Sequence, residues 1–174
     1  MTGSAVGSGP TFTDNLSNTL TLGPTIAGTP IYSAYYTLPS GVTSITATWT
    51  LTKQCGMAVV EYSGVNNVNP SLSGNTASGT SAAPSISLTT EDSNDVIVAG
   101  FHTANAFTIG TGTLRASTIT SIKTYVADNT SASPGSVTVA GTQTSGTFTA
   151  VALELRTSTG IGGTNQLMML GCGG

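Results

Sequence analysis

Apolar and polar residues alternate with a period of two along most of the chain. The pattern is clearest over Ser44-Ile45-Thr46-Ala47-Thr48-Trp49-Thr50-Leu51, where every second residue is apolar and the others are Ser or Thr. Period two sends alternate side chains to opposite sides of a pleated strand, so this run predicts a half-buried β-strand. Comparable runs at Thr19 to Leu22, Ile31 to Leu38, Gly56 to Ser63, Ser85 to Thr89, Asp95 to His102, Leu114 to Thr118, Ser121 to Ala127, Ser136 to Ala140 and Thr147 to Arg156 predict further strands. Turn-forming groups separate them: Gly23-Pro24, Pro39-Ser40-Gly41, Asn66-Asn67, Asn94-Asp95, Asp128-Asn129 and Pro134-Gly135. No stretch carries a convincing helical period.

Many short strands with frequent turns predict an all-β fold: an antiparallel two-sheet β-sandwich, jelly-roll-like, whose sheets bury each other's apolar faces. Met57-Ala58-Val59-Val60 and Val96-Ile97-Val98-Ala99 break the alternation and are apolar on both faces. Such runs suit central strands covered on each side, with a neighbouring subunit as one candidate cover. The segments Asn66 to Pro84 and Phe107 to Gly112 read as surface loops, the first being the longest irregular stretch. This divides the chain into an N-terminal arm (1–10), a sandwich domain (11–156) and a Gly/Ser/Thr linker with an apolar tail (157–174). Leu167, Met168, Met169 and Leu170 are four consecutive apolar residues and require burial. Two destinations suit them: a last strand on the chain's own core, or insertion into a neighbour as an assembly tail.

Composition narrows the function. The 174 residues suit one domain at about 100–200 residues per domain. Only 6% are charged, against roughly 25% in a typical domain, so 33 threonines and 21 serines must cover the surface. Four basic residues offer no stripe to neutralise phosphates, which argues against a nucleic-acid partner. No apolar run reaches the roughly 18–20 residues of a membrane span, and no signal peptide is visible at the N-terminus. Cys55 and Cys172 lack the paired spacing of a zinc site. They are either free thiols or a disulfide that pins the tail.

Asp14-Asn15-Leu16-Ser17-Asn18-Thr19, Ile31-Tyr32-Ser33-Ala34, Val42-Thr43-Ser44-Ile45-Thr46, Val59-Val60-Glu61-Tyr62-Ser63-Gly64-Val65, Asn94-Asp95-Val96-Ile97-Val98-Ala99-Gly100 and Val151-Ala152-Leu153-Glu154-Leu155 follow one another in that order. The series resembles a diffuse family of β-sandwich modules found in secreted bacterial surface proteins and in phage tail or other virion proteins. The resemblance covers residues 11 to 156 and contains no catalytic signature. It implies a surface or structural module and carries over no active site.

Several residue types invite chemistry. Glu61 and Glu154 sit inside apolar strands, and two facing carboxylates are what a glycosidase needs. The plainer reading pairs them with Lys53, Arg115 or Arg156, or with backbone. His102 is the single histidine, and no Gly-x-Ser-x-Gly elbow accompanies it. Glu91-Asp92-Ser93-Asn94-Asp95 offers hard oxygens but lacks the calcium loop's distal glutamate, so it reads as a solvated turn. Tyr32 and Tyr36 share one strand face and are candidate ligand-facing aromatics, whereas Tyr35 takes the other face and Trp49 joins Ile45, Ala47 and Leu51. Lys53 reads as a snorkelling side chain rather than one half of an isopeptide crosslink. Asn15 and Asn129 match the glycosylation acceptor pattern, a match that chance supplies in so Ser/Thr-rich a chain.

These observations predict a non-catalytic structural subunit of a virion (capsid, decoration or tail) or another extracellular assembly. It would self-associate through sheet faces and terminal segments, with homo-oligomers or other structural subunits as partners and without cofactor, metal or membrane insertion. A glycan- or cell-surface-binding sandwich is the alternative.

Overall fold

A computed structural model describes residues 9–26, 29, 31–49, 55–68, 74–119, 122–157 and 164–173, with backbone alone for 55, 66–68, 157 and 164–173. The described residues form fourteen strands and no helix. The strands are β1 (Thr11–Asp14), β2 (Thr21–Thr25), β3 (Ile31–Thr37), β4 (Ile45–Thr48), β5 (Cys55–Val68), β6 (Asn75–Ser81), β7 (Ser85–Thr90), β8 (Val96–Thr103), β9 (Phe107–Thr111), β10 (Thr113–Ile119), β11 (Lys123–Thr130), β12 (Gly135–Gln143), β13 (Gly146–Thr157) and β14 (Thr164–Gly173). All pairings between these strands are antiparallel.

Three sheets result. A nine-stranded sheet runs β10-β11-β8-β13-β5-β14-β3-β2, with β6 on the edge of β13. A three-stranded sheet runs β7-β12-β9, and β1 pairs with β4. The large sheet folds back on itself at the β13–β5 junction, where Leu155, Arg156 and Thr157 pair with Val68, Asn67 and Val65. A first core fills the fold: Ile31, Ala58 and Val60 from one half meet Val98, Val126, Val151 and Leu153 from the other. A second core lies beyond, between the other side of β8, β11 and β13 and the β7-β12-β9 sheet. A third joins Phe12 and Leu20 to Ala34 on the outer side of β3.

The sandwich therefore has more layers than two, and the sequence pattern follows from that. Period two sends Val96 and Val98 of β8 to the first core, and Ile97, Ala99 and Phe101 to the second. Both faces are buried, which is why this strand reads as a continuous apolar run. The chain itself supplies both covers. Each such Val, Leu or Ile, once fully buried, contributes roughly 1.5–3 kcal/mol.

β5 resembles β8 in sequence and differs in setting. Ala58 and Val60 point into the first core, whereas Met57 and Val59 lie on the outer face, 38% and 37% exposed. Further along, β5 has one residue more than β14 between the pairs Tyr62–Gln166 and Val65–Thr164. Gly64 sits at this bulge with φ +75°, a left-handed conformation that suits glycine. The extra residue returns Val65 to the first core.

Two predicted loops are strands. Within 66–84, β5 runs on to Val68 and β6 pairs along β13, while residues 69–73 lie outside the described ones. Phe107 to Thr111 is β9, with the Phe107 ring buried in the second core. The tail carries β14, which lies inside the chain's own large sheet between β3 and β5. Residues 1–8 of the N-terminal arm are outside the described residues.

Candidate functional site

Charge is largely turned inward. Of the seven carboxylates, Asp14, Asp95, Asp128 and Glu154 are buried. Asp14 closes the β1–β2 turn: Oδ1 accepts the Leu16 and Asn18 amides at 2.8 and 2.9 Å, and Oδ2 accepts Asn18 Nδ2 at 2.8 Å and the Tyr36 hydroxyl at 3.2 Å. Burial raises its pKa, but the bonds from Asn18, Leu16 and Tyr36 outweigh this and hold it below the ordinary 3.8. The Tyr36 hydroxyl is correspondingly pushed up to about 12, by burial first and then by Asp14.

A carboxyl with a depressed folded pKa stabilises the fold above its unfolded value, and that contribution is lost as pH falls through the folded value. Thermal melts from about pH 6 down to about pH 2 should show this loss below 3.8, and Asp14→Asn should flatten it. Equal pH slopes in the two proteins would remove Asp14 from that role.

Asp128 accepts the Tyr62 hydroxyl and Arg115 Nε at Oδ2, each at 2.7 Å, and so ties β5 to β10 and β11 across the first core. Burial and Asp128 together push the Tyr62 hydroxyl far above its ordinary range. Gly112 starts the return into β10 at φ +99°, where a Cβ would lie 2.5 Å from the Asp128 carbonyl oxygen. Glu154 is buried on the second-core side of β13 and accepts the Glu91 amide at 3.1 Å. Arg156 pairs with Glu91 and reaches Asp92 at 4.0 Å. Asp95 turns back to accept the Asp92 amide at 3.1 Å, and Asn94 adopts φ +64°. The acidic segment is thus the β7–β8 turn, in which the Asp95 carboxylate bonds within the turn while those of Glu91 and Asp92 face Arg156 of β13.

Glu61 lies exposed on the outer face of β5, with the first core between it and Glu154. The two carboxylates therefore do not face each other. His102 lies in register between Thr124 and Thr149. Burial, and then the charge of Lys123, lowers its pKa, so the imidazole is neutral at neutral pH. Among the described residues no three His, Cys, Asp or Glu side chains converge on a metal position. Lys53 lies outside the described residues. Both glycosylation-pattern amides are engaged: Asn15 Nδ2 donates to the Gly41 carbonyl and Asn129 Nδ2 to that of Thr138.

Tyr32 and Tyr36 do share a face, and Tyr35 takes the other, as alternation predicts. The shared face is occupied by the chain itself, since both rings pack against Phe12, Leu20 and Ala34 beneath β1 and β4. Trp49 meets Phe12 edge-on at 6.4 Å in the same layer. The pair expected to face a ligand is therefore half-buried under the β1–β4 layer.

That layer covers β3, while β5 presents Met57 and Val59 outward. Between these strands runs β14. Leu167 is in register with Tyr36 and Glu61, Met168 with Tyr35 and Val60, Met169 with Ala34 and Val59, and Leu170 with Ser33 and Ala58. At its far end Cys172 stands opposite Gly56, and Gly173 opposite Cys55, one residue out of direct register. The cysteine side chains are outside those described. The β5–β14–β3 face, with its outward apolar residues and its terminal strand, is the candidate site. The apolar tail signalled it; the slot that receives the tail is a product of strand order and has no local sequence mark. The chain matches no protein-family model, curated protein or solved structure.

Proposed function

We propose that this chain is a non-catalytic structural subunit of a virion (capsid, decoration or tail) or another extracellular assembly, and that copies associate through the outer β5 face and the C-terminal strand. The observation that carries this is an outward sheet face bearing Met57 and Val59 on a molecule that keeps four of its seven carboxylates inside. High net charge keeps proteins apart through mutual repulsion. Here Arg156 pairs with Glu91, and Arg115 is bonded to Asp128, so little exterior charge is left to oppose close packing of hydroxyl-rich surfaces. The likeness to β-sandwich modules of virion and surface proteins supports the same reading. Glycan binding drew on Tyr32 and Tyr36, whose rings are packed within the molecule.

Light scattering coupled to size exclusion tests it. The full chain should form defined oligomers, and Met57→Lys with Val59→Lys, two charges on an exposed face, should shift them toward monomer while the melting temperature changes little. A wild-type chain that stays monomeric at high concentration would overturn the proposal.

A further inference from the structure

β14 is the last of the described strands, yet it lies in the interior of the large sheet. It pairs with β3 over Gln166 to Cys172 and with β5 over Thr164 to Gly173. Both pairings are antiparallel, so β3 and β5 run parallel to each other and do not meet. Without β14 they would frame a slot two strand spacings wide, about 10 Å, with an unpaired backbone edge on each side. The floor of that slot is the first core.

The route into the slot is unusual. β13 and β14 are both antiparallel to β5 and therefore run in the same direction. β13 ends with Thr157 opposite Val65, and β14 begins with Thr164 opposite the same Val65 from the other side. The end of β13 and the start of β14 thus flank β5 at the same level, with both strands running the same way. A step of about 10 Å lies well within the ~20 Å that six extended residues reach. The same reach would serve a slot of like direction on a second copy packed against the end of β13. The linking sequence, Ser158-Thr159-Gly160-Ile161-Gly162-Gly163, has three glycines in six residues, a composition that accepts either path at little backbone cost.

We infer that the β3–β5 slot is a strand-acceptor site and that in the assembly its occupant is β14 of a second copy of this chain. The inference rests on the structural-subunit reading above. Exchange re-forms the same backbone pairs in the same register, so it is opposed by little besides the link's path and the loss of independent motion. Neighbours held close in an assembly reduce the second of these.

Directly opposed positions test it. Val59 and Met169 are cross-strand partners, at a separation of about 4.5–5.5 Å that a disulfide can bridge. Two full-length proteins, one Val59→Cys and one Met169→Cys, each also carrying Cys55→Ser and Cys172→Ser, are mixed unfolded, refolded together at high concentration and oxidised. Exchange predicts covalent dimers joining one chain of each kind and reaching about half of the Val59→Cys chains, the statistical share for random pairing. A chain carrying both substitutions is refolded separately. If it closes an internal disulfide as a monomer while the mixture stays uncrosslinked, β14 fills its own slot and the inference is overturned. If neither sample crosslinks, the slot register is absent and the inference is overturned as well. Oligomers in an uncrosslinked mixture would leave the structural-subunit reading standing on the outer β5 face, and monomers throughout would remove both.

Discussion

Replacing Phe101 by alanine is expected to cost about 3–5 kcal/mol, the range for truncating a buried aromatic ring. Phe101 is fully buried in the second core, 4.9 Å from the Phe107 ring, which in turn meets Tyr125 edge-on at 5.5 Å. The Tyr125 hydroxyl accepts the Phe107 amide at 3.1 Å, so the ring stack is fastened to the β9 backbone. On the sheet face around Phe101 stand Ala99, Ala127, Ala150 and Ala152. None has a side chain long enough to swing into the vacated space, so the cavity persists and the cost lies toward the upper end. Urea unfolding should show a lower midpoint at an unchanged slope, and Ile97→Val in the same core should lose about 0.5–1.5 kcal/mol. A loss for Phe101→Ala no larger than for Ile97→Val would mean that the β7-β12-β9 layer does not pack as described.

The ease of reading β8 and the difficulty of reading β6 have the same origin. β8 has both faces covered, so burial itself writes an apolar run into its sequence. Asn75–Ser81, β6, lies mostly exposed on the edge of β13 and has no apolar face to betray it. Its strand conformation comes from pairing with β13, which local pattern does not encode. β9 was hidden differently, since one buried Phe107 followed by Thr, Ile, Gly and Thr resembles a loop until β12 is placed beside it. In β5, four apolar residues in a row resemble a doubly covered strand, yet only Ala58 and Val60 are covered. The layer that buries Tyr32 and Tyr36 is likewise a matter of strand order: period two showed that they share a face and was silent on what lies over it.

Charged side chains were legible as residues and not as partners. The sequence offers Lys53, Arg115, Arg156 or backbone as partners for Glu61 and Glu154; Glu154 does accept a backbone amide, that of Glu91, while Arg115 takes Asp128 and Arg156 takes the Glu91 carboxylate. Arg115 meets Asp128 across the β10–β11 pair, beside a register shift, and Arg156 of β13 meets Glu91 in the β7–β8 turn, so both partnerships follow only from the fold. The same holds for the strand slot. The apolar tail is plain in sequence, but its placement between two parallel strands depends on pairings between segments distant in the chain, such as Leu167 with Tyr36 and with Glu61.

Removing the Asp128 carboxylate is expected to cost about 2–3 kcal/mol, because it strands a buried hydroxyl as well as breaking an ion pair. The two partners differ in setting. Arg115 is 50% exposed and Asp128 only 4%, so water can replace the guanidinium, and Arg115→Ala should cost no more than about 1 kcal/mol. Tyr62 cannot compensate in this way: its ring packs against the first core and its hydroxyl points at Asp128. Asp128→Ala therefore leaves a donor without a partner, while Tyr62→Phe removes the donor too and should cost about 1 kcal/mol. The expected order, Asp128→Ala well above the other two, is read from denaturant midpoints. Equal losses for Asp128→Ala and Arg115→Ala would mean that Asp128 acts through the ion pair between β10 and β11, not through the tyrosine bond that joins the two halves of the sheet. The location of the damage adds a second readout. Tyr62 belongs to β5, one wall of the slot that holds β14, and Asp128 belongs to the opposite layer. Loosening their bond should therefore speed amide exchange in β5 and β14 before it affects β8, which is covered on both faces.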